Sequence, residues 1–447
     1  MNIHNHLLFF SKLNHLAWRN VLRNWRHSIA TILAIALGFA SVSVFDGFIA
    51  DLRTRNEDGY IHRGMLGHVV IEKKNLGLYG REDPWKYSLD RKDQEIIEDL
   101  LENDPLVAQK MRMLSISGIA SSGEQSGLFQ GLAFDLQPGA EIRKPYWEWN
   151  TLAGIPIHMS PPLSINTGIL MAKILGCDTD VIKDQIFLPY GNYIPENRPF
   201  YCLTPRVYLT VTTEASQINV IDLKVTGIYD AGFRETDKRS IIISLEDAQR
   251  LYDTDKVTLY SILLKDDQKI DPFVERVSKM LETSGRDIEV IPWIKHHSVA
   301  FLAGGLQILD VFRNLFMTVI VAIGIMAVAN TMAKAVNERI REIGTLRSIG
   351  FKRKHLMMIF GCEGFYLSLI ACFLGLCLTL TITFILQLSN IKFKAGIMNI
   401  AINLNILYVP EAWAYSAIVL TLLATGTALY TARQAVSMGI ADALRHI

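Results

Sequence analysis

Uncharged residues collect in four long runs along the chain, at 29–45, 314–333, 356–390 and 412–432, the third broken only by Glu363. A helix needs about 20 apolar residues to cross a bilayer. Three runs meet that length unaided, and the first meets it once Ser28 and residues 47–50 beyond Asp46 are added. Between the first and second runs the pattern changes. Period-two stretches predict strands at 67–71, 106–120, 127–134, 185–188, 207–212, 223–229, 240–244, 258–264 and 288–293. Amphipathic stretches predict helices at 90–103, with Asp90 as N-cap, and at 245–252, where Ser244 and Asp247 come close to a capping box. Shorter helical signals lie at 168–176 and at 271–283, the latter opened by Asp271-Pro272 with proline in the first helical position. The turn Ser121-Ser122-Gly123 separates two strands. Residues 138–162 show no period and read as loop or an inserted subdomain boundary, and 190–205 read as an exposed loop or hook. Strands and helices mix without strict βαβ alternation, which makes the region α+β.

The fold class that follows is a membrane protein with four transmembrane α-helices and a large α+β domain inserted between helices 1 and 2. From 299 to 343 there is no proline, so a continuous helix there would reach about 65 Å, twice the roughly 30 Å hydrocarbon core. Such a helix projects beyond the membrane and transmits motion, unless it breaks at Gly304-Gly305.

Charge orients this frame. Of 447 residues half are apolar, and the net charge of +1 hides an uneven distribution. Residues 1–27 carry Lys12, Arg19, Arg23 and Arg26 and no acid, the segment 334–354 is basic, and Arg433 and Arg445 follow the fourth run. Positive flanks face the cytoplasm, so both termini are expected inside and the large domain outside. Lys392 and Lys394 in the short outer loop are a mild counter-signal. The expected boundaries are 1–27, an amphipathic interfacial helix or a plain continuation of the first span; 28–50, first span; 51–302, external domain; 303–333, stalk and second span; 334–354, cytoplasmic element; 355–388, third span; 389–411, outer loop; 412–434, fourth span; and 435–447, tail. A cleaved signal peptide over the first run is the alternative. It leaves an odd number of spans with both remaining basic segments still needing to face inward.

Chemistry adds little. There is no GxxxxGK[ST] phosphate loop, no GxSxG elbow and no HExxH motif. The chain is therefore not expected to be an enzyme, nor to bind ATP by the P-loop mechanism. No nucleic-acid partner is expected. Cys177 and Cys202 lie in the external domain, where a disulfide is permitted but not required, whereas Cys362, Cys372 and Cys377 read as packing residues of the third span. His296-His297 reads as a solvated pair, because adjacent residues do not face the same way, and no metal is expected. Glu363 either pairs with a cytosolic arginine or lines a transport path. In the basic element, Glu338, Arg341 and Glu342 stand at i, i+3 and i+4. Gly344 is expected to stop that helix, and 345–349 to form a second turn before Gly350. This is more order than flanking charge requires.

The run from Glu338 to Phe351, ERIREIGTLRSIGF, resembles the E-R-x-R-E-I-G-x-L-R-A-x-G segment of FtsX-like permeases, the MacB and LolC/LolE superfamily of ABC transporters. Residues 440–445, IADALR, resemble the family's closing P-x-E-A-L-R. In the external domain, 225–233 (VTGIYDAGF), Asp237 and 245–251 (LEDAQRL), with Gly168, Leu170, Leu175 and Gly176, resemble the core domain of the lipoprotein-releasing branch. The resemblance implies a permease dimer, with a second copy or a paralogue, bound to two subunits of a separate cytoplasmic ATPase. That ATPase would hold the ATP and Mg. It implies mechanotransmission, with Glu338, Arg341, Glu342, Gly344, Leu346, Arg347 and Gly350 forming the ATPase-docking surface. A periplasmic chaperone or adaptor is a candidate further partner. Two functions stay open: extraction or export of a lipoprotein or other amphiphile, and regulation of a periplasmic enzyme or sensor without transport.

Overall fold

The computed structural model describes residues 14–21, 23, 25–144, 151–179, 198–389, 391–393 and 402–436. The expected strand at 185–188, residues 190–197 of the expected hook, Lys394 and the closing 440–445 motif lie outside them. The described chain divides into two compact units, a helical unit and a sheet unit.

Among the described residues the large sheet of this unit has ten strands: β1 (Val69–Lys73), β2 (Val107–Ser121), β3 (Ser126–Phe134), β4 (Thr151–Gly154), β5 (Ser164–Gly168), β6 (Arg206–Thr212), β7 (Ile218–Tyr229), β8 (Ile241–Ser244), β9 (Leu259–Leu264) and β10 (Ile288–Pro292). They follow the order β10-β1-β9-β2-β3-β8-β5-β7-β4, and β6 pairs with both β2 and β7. The strands β2, β3, β8, β5, β7 and β6 therefore form a closed ring. In β6, Val207, Leu209 and Val211 turn inward between exposed Arg206, Tyr208 and Thr212, the alternation of a strand with one buried face. The ring and its flank enclose Leu114, Ile116, Phe129, Ile165, Leu209, Ile228 and Tyr260.

Helices cover this sheet where their caps dictate. Asp90 and Asp93 form a reciprocal capping box at the start of Arg91–Leu101, and Ser244 accepts the Asp247 N–H at the start of Leu245–Tyr252. The helix expected from Asp271 begins one residue earlier, at Ile270, and runs to Glu282. Pro272 thus stands third in the helix, still within the first turn, where its missing N–H has no helical partner to lose. Residues 138–162, expected as loop, contain the end of a helix (Leu136–Arg143), β4 and a 3₁₀ turn (Ile157–Met159). A four-residue strand is too short for a period to register.

The helical unit contains the expected spans. The first is a helix over Trp25–Asp58, continued by a π-helical turn, Gly59–Arg63; the others are Ala300–Glu338, Arg353–Ser389 and Pro410–Val436. All four are long and apolar enough to cross a membrane. The second has 39 residues, about 58 Å, and passes Gly304-Gly305 without a break. It ends at Glu338, short of the 343 that the sequence allowed. Ile35, Phe39, Val328, Met332, Leu367, Ala371, Leu420 and Ala428 pack together, while Leu37, Val319, Phe373, Phe384, Leu422 and Tyr430 stay exposed, as lipid-facing positions do. Polar links join the spans: Arg313 pairs with Asp46, Thr31 shares a hydrogen bond with Thr331, and Trp413 Nε1 donates to the Ser43 carbonyl at 3.2 Å.

The helix expected in the membrane interface at 1–27 is described in part, and that part packs on the bundle. Ala17 is fully buried with Val336, Ile359 and Ala432. Tyr366 Oη donates to Asn14 Oδ1 at 2.7 Å, and Trp18 sets its ring edge-to-face with Tyr366.

Cys177 and Cys202 are bonded across a separation of 25 residues. Closing a loop of that length stabilises the fold by about 3 kcal/mol. Cys177→Ser is expected to lower the unfolding midpoint of the sheet unit accordingly in calorimetry of the intact chain in detergent, leaving span helicity unchanged.

Asp237 accepts the N–H of Leu170 at 2.6 Å and of Ala231 at 3.0 Å. Burial, followed by the charge of Asp230, pushes its carboxyl up to about 6 from 3.8. The folded state therefore binds the proton more tightly than the unfolded state. That contribution is complete below pH 3.8 and is lost as pH rises through about 6. Asp237→Asn is expected to flatten the fall in unfolding temperature across that window.

Candidate functional site

The second span stops because Arg339 leaves helical geometry, at φ −114° and ψ 18°, and a new helix runs from Ile340 to Ser348. Gly344 does not stop this helix, contrary to the expectation from sequence. It lies in its middle and is buried with Ile340 and Ile343, on the face that packs with Val336, Leu356, Ile359 and Phe360. A glycine at a tight packing position looks the same in sequence as a helix terminator. The stop comes at Gly350, whose φ of +106° only glycine adopts without cost. Its N–H donates to the Arg347 carbonyl at 3.1 Å, and the Phe351 N–H to the Leu346 carbonyl at 3.0 Å. This is a Schellman closure, accompanied by packing of Leu346 and Phe351 in one cluster.

Of the seven expected docking residues, Glu338, Arg341, Glu342 and Gly350 are exposed, Leu346 and Arg347 are half-buried, and Gly344 is buried. The outward stripe of the helix is Arg341, Glu342, Thr345, Ser348 and Ile349. Ile349 is 73% exposed and was not singled out from the sequence, although it stands seven residues beyond Glu342 on the same helical face. A bare isoleucine among charges makes a surface that can bind, with polar residues around an apolar anchor. Glu342 also meets Arg23 at 3.4 Å, both well exposed, a contact worth little by itself.

Glu363 is paired. Its Oε1 accepts from Arg339 Nη1 at 3.0 Å and from Asn20 Nδ2 at 2.6 Å. Arg339 and Glu363 are both buried. Glu363 is paired as one of the two expectations had it, but with a buried arginine at the bend rather than one on the cytosolic surface. Arg339 lies inside the motif that carried the resemblance, yet it faces inward and fastens the motif to the third span.

In the sheet unit the histidine pair also differs from expectation. His296 is 2% exposed, and its Nε2 lies 2.9 Å from Glu72 Oε2, with His297 Nδ1 3.7 Å from Glu72 Oε1. His296 is the extended N-cap of a 3₁₀ turn, His297–Val299. Across that junction neighbouring side chains are free to converge.

Residues 314–440 match the FtsX-like permease C-terminal family, a stretch that holds the bend, the short helix and the third and fourth spans. Over 443 residues the chain is 22% identical to the lipoprotein-releasing system transmembrane protein LolC of Xylella fastidiosa, covering 94% of each. Over its C-terminal spans the chain is similar to FtsX-like permeases of ABC transporters. To LolC of Neisseria meningitidis serogroup B the chain is 23% identical over 347 residues, 75% of its own length and 72% of the relative's. To an uncharacterized ABC transporter permease of Methanocaldococcus jannaschii it is 22% identical over 217 residues, 46% of its length and 54% of the relative's, so it spans about half of that protein. Among solved structures, the periplasmic region of MacB from Actinobacillus actinomycetemcomitans aligns with a TM-score of 0.33 at 10% identity, covering 52% of this chain and 91% of that one. The extracellular domain of the transporter YknZ from Gram-positive bacteria aligns at 0.31 and 12%, covering 50% and 99%.

Removing one partner of a buried ion pair leaves the other uncompensated, at a cost of about 3–5 kcal/mol, whereas replacing both with apolar residues is close to neutral. Glu363→Leu is therefore expected to lower thermal stability in detergent by that order, and adding Arg339→Met is expected to recover most of the loss.

Proposed function

We propose that this permease receives force from a separate cytoplasmic ATPase on the outward stripe of the helix Ile340–Ser348 and passes it along the second span to a periplasmic domain. One observation carries this reading. A short helix with an exposed charged and apolar face is joined at a bend to a 39-residue continuous helix, and the bend is locked to the third span by Arg339 and Glu363. A load on the short helix has a stiff path to follow. In this reading both termini lie in the cytoplasm of a bacterial inner-membrane protein, the permease acts as a dimer with a second copy or a paralogue, and the ATPase subunits bind ATP and Mg.

The cargo we infer is a lipoprotein or similar amphiphile. The LolC relatives are named for lipoprotein release. The sheet unit also has a surface suited to such a ligand. Next to Cys202, Tyr201 and Leu203 are 68% and 64% exposed on a groove of about 540 Å³ lined by Phe200, Pro205, Val225 and Lys224. Apolar walls beside Lys224 suit an acyl chain carrying a polar head.

The docking claim is tested with exposed residues, whose replacement leaves the fold intact. Glu342→Arg and Ile349→Asp are each expected to reduce copurification of the ATPase at least tenfold and to abolish substrate-stimulated ATP turnover, with membrane insertion unchanged. Wild-type copurification and turnover in both variants would sink the reading.

A further inference from the structure

Glu72, His296 and His297 lie outside the machinery described so far. We propose that these three residues bind a divalent transition metal, zinc by chemical preference, three residues ahead of the start of the second-span helix at Ala300. One ligand atom from each lies within 4.8 Å of the other two. Tetrahedral zinc with bonds of about 2.0–2.1 Å sets its ligand atoms about 3.3–3.4 Å apart. His296 Nε2 lies 2.9 Å from Glu72 Oε2 and His297 Nδ1 lies 3.7 Å from Glu72 Oε1, so rotation of the carboxylate would present one oxygen to an ion held by both rings. Two imidazoles and a carboxylate are a donor set that suits zinc over calcium or magnesium, which prefer oxygen.

Each ligand is held by its surroundings. Glu72 belongs to β1, which is paired on both edges by β9 and β10, and its side chain is 1% exposed. His296 Nδ1 lies 2.7 Å from Ser298 Oγ, the outer partner that fixes ring orientation in metal sites. In the metal-free protein the His296 Nε2–H donates to Glu72. His296 Nδ1 accepts the Ser298 N–H at 3.3 Å in the metal-free protein; with metal on Nε2 the proton moves to Nδ1, that contact is given up and Nδ1–H donates to Ser298 Oγ, so a neutral ring changes tautomer without losing a proton. The His297 ring rests on Gly77, where a Cβ would come within 2.9 Å of it; any other residue there would push the ring away. Glu289 stands opposite Glu72 in the β1–β10 register and adds a second carboxylate nearby. The His297 side chain is 46% exposed, which gives the ion a route in and leaves a fourth position for water. Bound metal would staple β1 to the segment that leads into the second span.

The test uses the full-length, untagged chain in detergent, stripped with EDTA and titrated with zinc alone by calorimetry, with cobalt absorption as a second probe of tetrahedral geometry. The wild type is expected to show a zinc site that is lost in His297→Ala and weakened at least about tenfold in Ser298→Ala. Zinc is also expected to raise the unfolding temperature of the wild type and leave that of His297→Ala unmoved. His297 is exposed enough for its alanine variant to fold, so the test does not rest on Glu72→Gln. Equal zinc stoichiometry and affinity in the wild type and His297→Ala, or no binding in either, overturns the proposal and leaves Glu72 and His296 as a simple buried hydrogen bond.

Discussion

A carboxylate within an apolar span must find a partner, because hydrocarbon offers it neither water nor counterion. Glu363 finds two, Arg339 and Asn20, and the architecture of the helical unit follows from that choice. Arg339 is the residue at which the second span ends and the short helix begins, and Asn20 belongs to the helix near the N-terminus. One buried oxygen therefore ties together the bend, the third span and the first described helix. The bend cannot straighten without exposing a guanidinium and a carboxylate to an apolar interior. Apolar packing of Val336, Ile343 and Phe360 fills the space around it, but packing alone does not fix an angle.

This constraint separates two roles within one short motif. Residues of the helix Ile340–Ser348 that face inward, Ile340, Ile343 and Gly344, belong to the bundle. Those facing outward, from Arg341 to Ile349, belong to whatever approaches from outside it. Gly350 serves neither role: it ends the helix in a conformation that brings Phe351 back onto Leu346. A motif that reads as one surface in a linear sequence is thus an anchor on one side and an exposed face on the other.

Much of this was legible in the sequence, and the failures have physical causes. The four spans were readable because an apolar run of about 20 residues is rare outside a bilayer. Helix starts at Arg91 and Leu245 were readable because a cap is a local event between residues three apart. The role of Gly344 was misread because burial is not local. Whether a glycine ends a helix or admits a neighbour depends on side chains far away in the chain. The same holds for Glu363, whose partner is 24 residues away, and for His296, whose partner is 224 residues away. The rule that adjacent residues diverge holds inside regular helices and strands. It fails at the junction between an extended residue and a 3₁₀ turn, which is where His296 and His297 stand.

The closed ring of β2, β3, β8, β5, β7 and β6 has a mechanical meaning. An open sheet under tension can be peeled from an outer strand one hydrogen bond at a time, since each rupture frees the next. In a ring every strand has neighbours on both sides, so no member offers a first bond to break, and separation requires several ladders to fail together. Such an element deforms little and moves as a whole. β6 completes the circuit with seven residues, joined to β2 through Ile119 and Thr210 and to β7 along its length. Without it the ring becomes a ribbon with loose ends, and part of any push or pull would be spent in unfastening it.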